Sequence, residues 1–304
     1  MQPALRRPNA RVTGKVAVVT VAGILTAMVT PFDADGGVAE EPAARLARHL
    51  LDHGSDGLVL TGTTGETSTL TDEEKGRMWD IGVEVVRGHD RDGILIAGTG
   101  SNDTRHAVEL TERAAAAGVD AVLVVSPYYN RPNRRGLVAH FRAVANATDL
   151  PIVLYNIPSR TAVDMPNDLL AELGQIDNIV AVKQSREEGC EPIDGLALLA
   201  GNDDLLGAVL DMGGAGGILV ASHLVGHELR RMIDEPDERA AIEQRLLPLY
   251  EALAVAPACI STKAALNMLG HGVGGVRLPM VEASPEEEAT IRATLESLGL
   301  LERV

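Results

Sequence analysis

The feature that points most directly to chemistry is a lysine at the end of an apolar run. Lys183 closes the stretch IVAVK and is followed by Gln184 and Ser185. Burial disfavours a positive charge, so a lysine at the end of a buried strand spends part of its time as a neutral amine that can attack a carbonyl carbon. The alternative is a lysine that extends its charge into solvent or pairs it with a carboxylate. The residue type alone leaves both possibilities open.

Hydroxyl groups follow other apolar runs of the chain. Three of the four tyrosines, Tyr128, Tyr129 and Tyr155, lie at such positions. A phenol that is hydrogen-bonded to a hydroxyl or to another phenol can pass a proton on, although packing with a satisfied hydroxyl is the plainer role. Thr63 and Thr64 lie in the glycine-flanked stretch GTTGE, where hydroxyl and N–H groups near a helix start suit a carboxylate. These residue types together predict carbonyl chemistry with proton transfer.

The elements that must position these residues repeat along the chain. Short β-branched runs alternate with stretches of helical spacing such as 40–54 and 71–88. The runs are nearly continuously apolar, as parallel strands covered on both faces require. The strand candidates are 24–32, 57–62, 94–100, 121–127, 151–158, 178–184, 196–202 and 216–222. Strand and helix alternation repeated eight times predicts an α/β fold, the (β/α)8 TIM barrel, whose functional groups lie at the carboxyl ends of the strands.

The rest of the chain is predicted to surround this barrel. We assign 1–20 to an N-terminal tail, 21–228 to the barrel, and 229–304 to a C-terminal helical extension packed on the barrel, because no flexible linker separates the last two. The residues 185–195 between strands six and seven are too few for a full crossover helix. We therefore expect the sixth helix to be short or absent.

Composition excludes several classes of partner and site. A net charge of -16 disfavours nucleic acid and anionic membrane surfaces, and no run reaches the roughly 20 apolar residues that cross a bilayer. Cys190 and Cys259 make neither a disulfide framework nor a metal site, which favours a reduced, cytoplasmic setting. His49 and His53 are four residues apart, a spacing that can bind zinc, but no third ligand is evident. We predict no metal.

Five motifs occur together and in a fixed order. They are GTTGE at 62–66, SPYYNRP at 126–132, LYNIPSRT at 154–161, VAVK at 180–183 and RLPM at 277–280. In these motifs the chain resembles the dihydrodipicolinate synthase and N-acetylneuraminate lyase family, and the likeness runs from about residue 21 to 301. One departure is Gln184, which stands where the family usually has an acidic residue.

The resemblance implies a set of catalytic roles. Lys183 would form a Schiff base with the keto carbon of pyruvate, and Tyr155 would relay protons through Thr63 to Tyr129. In this family that last tyrosine comes from a neighbouring subunit. The resemblance therefore implies a homo-oligomer, either a dimer or a dimer of dimers (homotetramer).

It also implies substrate contacts. Thr64 would help to bind the pyruvate carboxylate, with Gly62 and Ile218 as further contacts. Arg160 would hold the carboxylate of the incoming aldehyde through a bidentate contact. The partners are thus small molecules, pyruvate and an aldehyde, and no cofactor is implied.

Three functions follow as hypotheses. The first is condensation of pyruvate with L-aspartate semialdehyde to 4-hydroxy-tetrahydrodipicolinate, a step of lysine and diaminopimelate biosynthesis, which the context of Arg160 favours. The second is a pyruvate-dependent class I aldolase for a 2-keto-3-deoxy sugar acid, which Gln184 allows. The third is a barrel that has lost catalysis and serves as a binding or assembly protein, for which the short sixth crossover is the best support.

Overall fold

The structure, a computed structural model, describes residues 19–186 and 188–302. Most of the predicted N-terminal tail therefore lies outside the described residues, and the boundaries of the tail, barrel and extension stay predictions. Eight parallel strands close into one barrel in sequence order, with β8 pairing with β1. The strands are β1 (Gly23–Ala27), β2 (Gly57–Leu60), β3 (Ile94–Gly98), β4 (Ala121–Val125), β5 (Ile152–Asn156), β6 (Ile179–Gln184), β7 (Ala197–Ala200) and β8 (Gly216–Leu219). The predicted (β/α)8 fold is confirmed.

Most strands end earlier than their apolar runs suggest. The second apolar run continues to Gly62, but β2 stops at Leu60 because Thr61 adopts a left-handed backbone conformation with φ 54°. A strand cannot continue through that conformation. The chain after β2 therefore leaves the sheet as a loop, and the GTTGE motif lies in that loop.

Helices cover the outside of the barrel. They are α1 (Glu40–Asp52), α2 (Asp72–Arg87), α3 (Thr104–Ala117), α4 (Arg134–Ala145), α5 (Pro158–Thr161), α6 (Asn167–Leu173), α7 (Leu206–Asp211), α8 (Ser222–Asp234), α9 (Arg239–Leu253), α10 (Ala258–Met268) and α11 (Pro285–Ser297). Helix α2 begins where the sequence indicates, with a capping box between Thr71 and Glu74. Among the described residues between β6 and β7 there is no helix, as predicted.

The apolar residues of each strand serve two cores. In β2, Val59 points into the barrel, whereas Leu58 and Leu60 pack outward against the helices. All three are at most 1 % exposed. Burial of each such side chain stabilises the fold by about 1.5–3 kcal/mol. Both faces of the sheet are thus covered, which explains the continuous apolar runs.

The C-terminal helices pack on α8 and on one another. Helix α9 contacts α8 and α11, and α10 contacts α8, α9 and α11. In the described part of the chain no single helix is long and apolar enough to cross a membrane. One pair of consecutive helical segments meets that test only when the two are taken together. They are Pro236–Leu253 and Ala258–Met268, and the chain bends by 107° between them.

A buried histidine joins the ends of β1 and β8. His223 lies in the first turn of α8 and is 2 % exposed. Its Nε2 accepts a hydrogen bond from the Val29 N–H at 3.2 Å, and its Nδ1 donates to the Val220 carbonyl at 2.8 Å. The ring is therefore neutral, and burial lowers the pKa of His223 from 6.5 to about 4.

This histidine predicts a dependence of stability on pH. Between about pH 6.5 and about pH 4 the unfolded chain binds a proton at His223 that the folded chain excludes, so the free energy of unfolding falls as the pH falls. The shift is worth on the order of 3 kcal/mol. His223→Gln should keep an acceptor for the Val29 N–H without titrating. Urea unfolding at about pH 7 and about pH 4.5 should give the variant the smaller difference. Equal differences in variant and wild type would contradict this account.

Candidate active site

A cavity of about 530 Å³ opens at the carboxyl ends of the strands. Five of the residues predicted for the site line it, namely Thr63, Thr64, Tyr155, Arg160 and Lys183. They come from the loop after β2, the end of β5, helix α5 and the end of β6. Barrel closure therefore brings together residues that are up to 120 positions apart in the chain.

The lysine lies inside the barrel mouth. Lys183 pairs with Tyr155 across β5 and β6, and its Nζ is 4.2 Å from the centroid of the Tyr155 ring. Each residue is 6 % exposed. No carboxylate of the described residues lies within 4.0 Å of Nζ, so Lys183 forms no ion pair with them. The geometry favours an amine that acts as a nucleophile over a lysine at a solvated strand end.

Gln184 links the ends of β5 and β6 on the outer face of the sheet. It is completely buried, and its Oε1 accepts hydrogen bonds from Asn156 Nδ2 at 3.1 Å and from the Arg186 N–H at 3.3 Å. Asn156 also donates to Asp164 and to the Met165 carbonyl. The departure from the family pattern after the lysine therefore lies in a packed polar network and does not line the cavity.

The threonine loop, residues 61–66 after β2, lines the same cavity as Lys183. Thr64 is 7 % exposed, whereas Thr63 is exposed at the surface of the loop. A second, smaller cavity of about 40 Å³ shares Thr63, Thr64, Tyr155 and Lys183 as lining residues and adds Gly62. Hydroxyl groups thus lie on the same cavity as the phenol and the amine.

Arg160 lies at the rim of the cavity. It belongs to the short helix α5 and is exposed. Within the described residues its guanidinium has no carboxylate partner. A free guanidinium on a cavity wall can bind a substrate carboxylate through two parallel hydrogen bonds.

Two predicted site residues lie elsewhere. Ile218 is fully buried inside the barrel and is not among the described residues that line either cavity. Tyr129 is 88 % exposed and has a left-handed backbone with φ 72°. It also lies outside both cavities. Within one chain the predicted proton relay is therefore incomplete.

The cavity also has an acidic wall that the sequence reading missed. Asp203 follows β7, and its Oδ1 accepts hydrogen bonds from the N–H groups of Val220 and Ala221 at 3.0 and 2.9 Å. Burial raises the pKa of Asp203 to about 6, while these hydrogen bonds and the charge of Lys183 act in the opposite direction. The signal was present as an acidic pair, Asp203 and Asp204, directly after the seventh apolar run. Tyr250 of α9 also lines the cavity, and no sequence pattern linked it to the strands.

No metal site is formed in the part of the chain that the structure describes, since no group of three or more histidine, cysteine, aspartate or glutamate side chains is arranged to hold an ion. The rings of His49 and His53 stack with centroids 3.9 Å apart. The His53 Nδ1 forms a 2.7 Å hydrogen bond with the His49 carbonyl. The His49 ring also lies 4.4 Å from that of His271, so this pair belongs to a group of packed histidine rings.

The chain matches a known family over nearly its whole length. The model of the dihydrodipicolinate synthetase family matches residues 20–298 of this chain. The chain belongs to this family. A family member from Heliobacterium modesticaldum, named 4-hydroxy-tetrahydrodipicolinate synthase, is 46% identical over 289 residues, which are 91% of this chain and 95% of that protein. One from Moorella thermoacetica with the same name is 44% identical, covering 91% and 98%.

Solved structures of family members have the same fold. Dihydrodipicolinate synthase from Cyanidioschyzon merolae, with lysine bound, has a TM-score of 0.89 at 40% identity, covering 92% of this chain and 99% of that one. The enzyme from Acinetobacter baumannii, in complex with pyruvate, has a TM-score of 0.87 at 32% identity, covering 93% and 100%. A monomeric dihydrodipicolinate synthase variant also has a TM-score of 0.87 at 32% identity, covering 92% and 97%.

We expect the protein to lose stability when the hydrogen bonds of Gln184 are removed. Gln184→Met keeps the volume of the side chain but removes the acceptor for Asn156 and Arg186, so we expect the free energy of unfolding to fall by about 1–3 kcal/mol. Urea unfolding at neutral pH measures it. Gln175→Met, at an exposed glutamine after α6, is the matched control and should change stability by less than about 0.5 kcal/mol. Equal effects of the two substitutions would show that the network contributes nothing.

Proposed function

We propose that the protein is a 4-hydroxy-tetrahydrodipicolinate synthase that condenses pyruvate with L-aspartate semialdehyde through a Schiff base on Lys183. The observation that carries the proposal is a buried lysine that has no carboxylate partner among the described residues and packs on Tyr155, in a cavity that Arg160 also lines. Membership of the family and the shared name of its relatives support the same reaction.

The reaction needs only groups of the protein and the two substrates. The Lys183 amine attacks the keto carbon of pyruvate, and loss of water gives an iminium ion. Removal of a methyl proton gives an enamine, whose terminal carbon attacks the aldehyde carbon while the aldehyde oxygen takes up a proton. The amino group of the semialdehyde then attacks the former keto carbon, closes the ring and releases the Lys183 amine.

Five of the residues that line the cavity have roles in these reaction steps. Tyr155 and the hydroxyl of Thr63 move protons during imine and enamine formation. Thr64 binds the pyruvate carboxylate, and Arg160 binds the carboxylate of the semialdehyde. Asp203 places a negative charge in the same cavity as Lys183, which stabilises the positive charge of the iminium ion.

Neither alternative function gains support from the structure. The sugar-acid aldolase rested on Gln184, whose side chain is buried in the network with Asn156 and does not face the substrate. The inactive barrel rested on the short sixth crossover. The β5 and β6 register nevertheless pairs Lys183 with Tyr155 without a helix in the described part of that crossover.

We also propose that the active form is a homo-oligomer, a dimer or a dimer of dimers, in which Tyr129 reaches the cavity of a second copy. Its exposure and left-handed backbone support this arrangement, since a large phenol held outward in that conformation needs a compensating contact. A cytoplasmic location stays a prediction that rests on the free thiols of Cys190 and Cys259.

The Schiff base is tested by reduction. After incubation with pyruvate and borohydride, the intact protein should gain the mass of a reduced pyruvate adduct, and peptide mapping should place it on Lys183. Lys183→Arg keeps the charge, cannot form a stable imine, and should give no adduct. A folded wild-type protein without an adduct would refute the proposed mechanism.

The aldehyde is tested by turnover. Aspartate semialdehyde should be consumed with a kcat/KM at least about 100-fold above that for sugar-derived aldehydes, because only the former carries the carboxylate and the amine that the reaction uses. Arg160→Lys, which loses the bidentate contact, should raise KM for the semialdehyde by roughly 10-fold or more and leave the pyruvate adduct unchanged. Preference for a sugar-derived aldehyde would assign the other substrate class.

The subunit contact is tested with Tyr129. Tyr129→Phe should lower kcat while the yield of trapped pyruvate adduct stays as in the wild type, because Lys183 is untouched. Tyr128→Phe, at the neighbouring and less exposed tyrosine, is the matched control. Sedimentation gives the oligomeric state, and full activity in a strict monomer would exclude a tyrosine supplied by a second copy.

A further inference from the structure

A buried ion pair joins the threonine loop to the C-terminal helices. Lys263 of α10 donates to Glu66 Oε1 at 2.7 Å, and both side chains are 2 % exposed. The other carboxylate oxygen, Oε2, accepts the main-chain N–H of Arg277 at 3.0 Å. Both partners of Glu66 are about two hundred residues away in sequence.

The ammonium of Lys263 has further contacts around the same point. It donates to the Gly275 carbonyl at 2.6 Å and lies 4.0 Å from the centroid of the Phe32 ring. Burial lowers the pKa of Lys263, and the Glu66 carboxylate opposes that effect. A buried ammonium with one carboxylate, one carbonyl and one aromatic face has a fixed position.

Glu66 also helps to shape the loop, together with Thr30, whose hydroxyl donates to the Gly65 carbonyl at 2.7 Å. Glu66 has a left-handed backbone with φ 55°, and its N–H donates to the Thr63 carbonyl at 3.1 Å. Within the described residues, this is the hydrogen bond that reaches Thr63. The loop is closed further by the bond from the Thr67 N–H to the Gly62 carbonyl at 3.3 Å.

We propose that Glu66 is a positioning residue, and that its ion pair with Lys263 holds Thr63 at the cavity where protons are transferred. Neither Glu66 nor Lys263 lines the cavity, so the effect passes through the main chain of the loop. The C-terminal extension thereby becomes part of the catalytic scaffold. This inference rests on the proposed function, because it assigns Thr63 to the proton relay.

The consequence is selective. The Lys183 amine is held by β6 and by the Tyr155 ring, both independent of Glu66. A loosened threonine loop should therefore slow proton removal from the pyruvate methyl group and leave the equilibrium amount of imine unchanged. A general loss of stability would lower both the rate of proton removal and the amount of imine.

The experiment uses pyruvate alone in D₂O. Exchange of the methyl protons, followed by NMR, reports enamine formation without any aldehyde, and borohydride trapping reports the imine. Glu66→Gln should slow exchange by about 10- to 100-fold, since small misplacements of a catalytic group have effects of that size. Its adduct yield on Lys183 should equal that of the wild type.

A second ion pair supplies the matched control. Arg230 contacts Asp56 at 2.7 Å, and Asp56 accepts the Ile24 N–H at the amino end of β1, opposite the cavity. Arg230→Gln should lower the melting temperature and keep the exchange rate within about twofold of the wild type. If Glu66→Gln does not fold, Glu66→Gln combined with Lys263→Met removes both buried charges at similar volume and should fold with slow exchange.

The outcomes separate the two proposals. Wild-type exchange in folded Glu66→Gln or in the double variant, an equal slowing in Arg230→Gln, or loss of the adduct together with exchange would each overturn the positioning role. A wild-type protein that forms the adduct and exchanges protons but does not consume aspartate semialdehyde would refute only the assigned aldehyde. Absence of both adduct and exchange in the wild type would overturn the proposed function and this inference together.

Discussion

The pairing of β5 with β6 is the constraint on which the candidate site depends. Tyr155 lies opposite Lys183, and Asn156 lies opposite Gln184. Because side chains alternate along a strand, this register turns the phenol and the amine into the barrel and the two amides outward into their own network. If β6 were shifted by one residue along β5, Gln184 would face the barrel interior and Lys183 would face the outer core. The hydrogen bond from Asn156 to Gln184 therefore supports the register that gives the lysine its environment.

The two buried lysines near the carboxyl ends of the strands have different surroundings. Lys263 is paired with Glu66 and contacts the Gly275 carbonyl, so its charge is satisfied and its role is structural. Lys183 is almost as buried, but its contacts within the described residues are the face of the Tyr155 ring and a longer-range attraction to the Asp203 carboxylate. A buried amine that no close carboxylate holds in place is free to form a bond to the keto carbon of a substrate. The contrast between these lysines explains why only one of them is suited to a Schiff base.

The sequence was a good guide to the elements and a weaker guide to the cavity. Each strand carries a continuous apolar run, and β6 contains, one residue before its end, the lysine that the run made conspicuous. Thr63 and Thr64 were found because they lie in a glycine-flanked turn after a strand, and Arg160 was found through the resemblance of its motif to the family. Asp203 was missed although it directly follows the seventh apolar run, because its position at the cavity depends on hydrogen bonds from the Val220 and Ala221 N–H groups of another strand end. Tyr250 was missed because its helix lies outside the barrel repeat, and its approach to the cavity depends on how α9 packs on α8.

By itself the sequence determined the fold class, the order of strands and helices, and the residues after each strand from which a site could be built. Alternation of apolar runs is a local property, and it is written in neighbouring residues. The tertiary structure decided which of those residues share a cavity, that Gln184 faces away from it, and that Glu66 meets Lys263 across 197 positions. Such contacts depend on barrel closure and helix packing, which bring distant segments together through burial, and no local pattern records the distances that result.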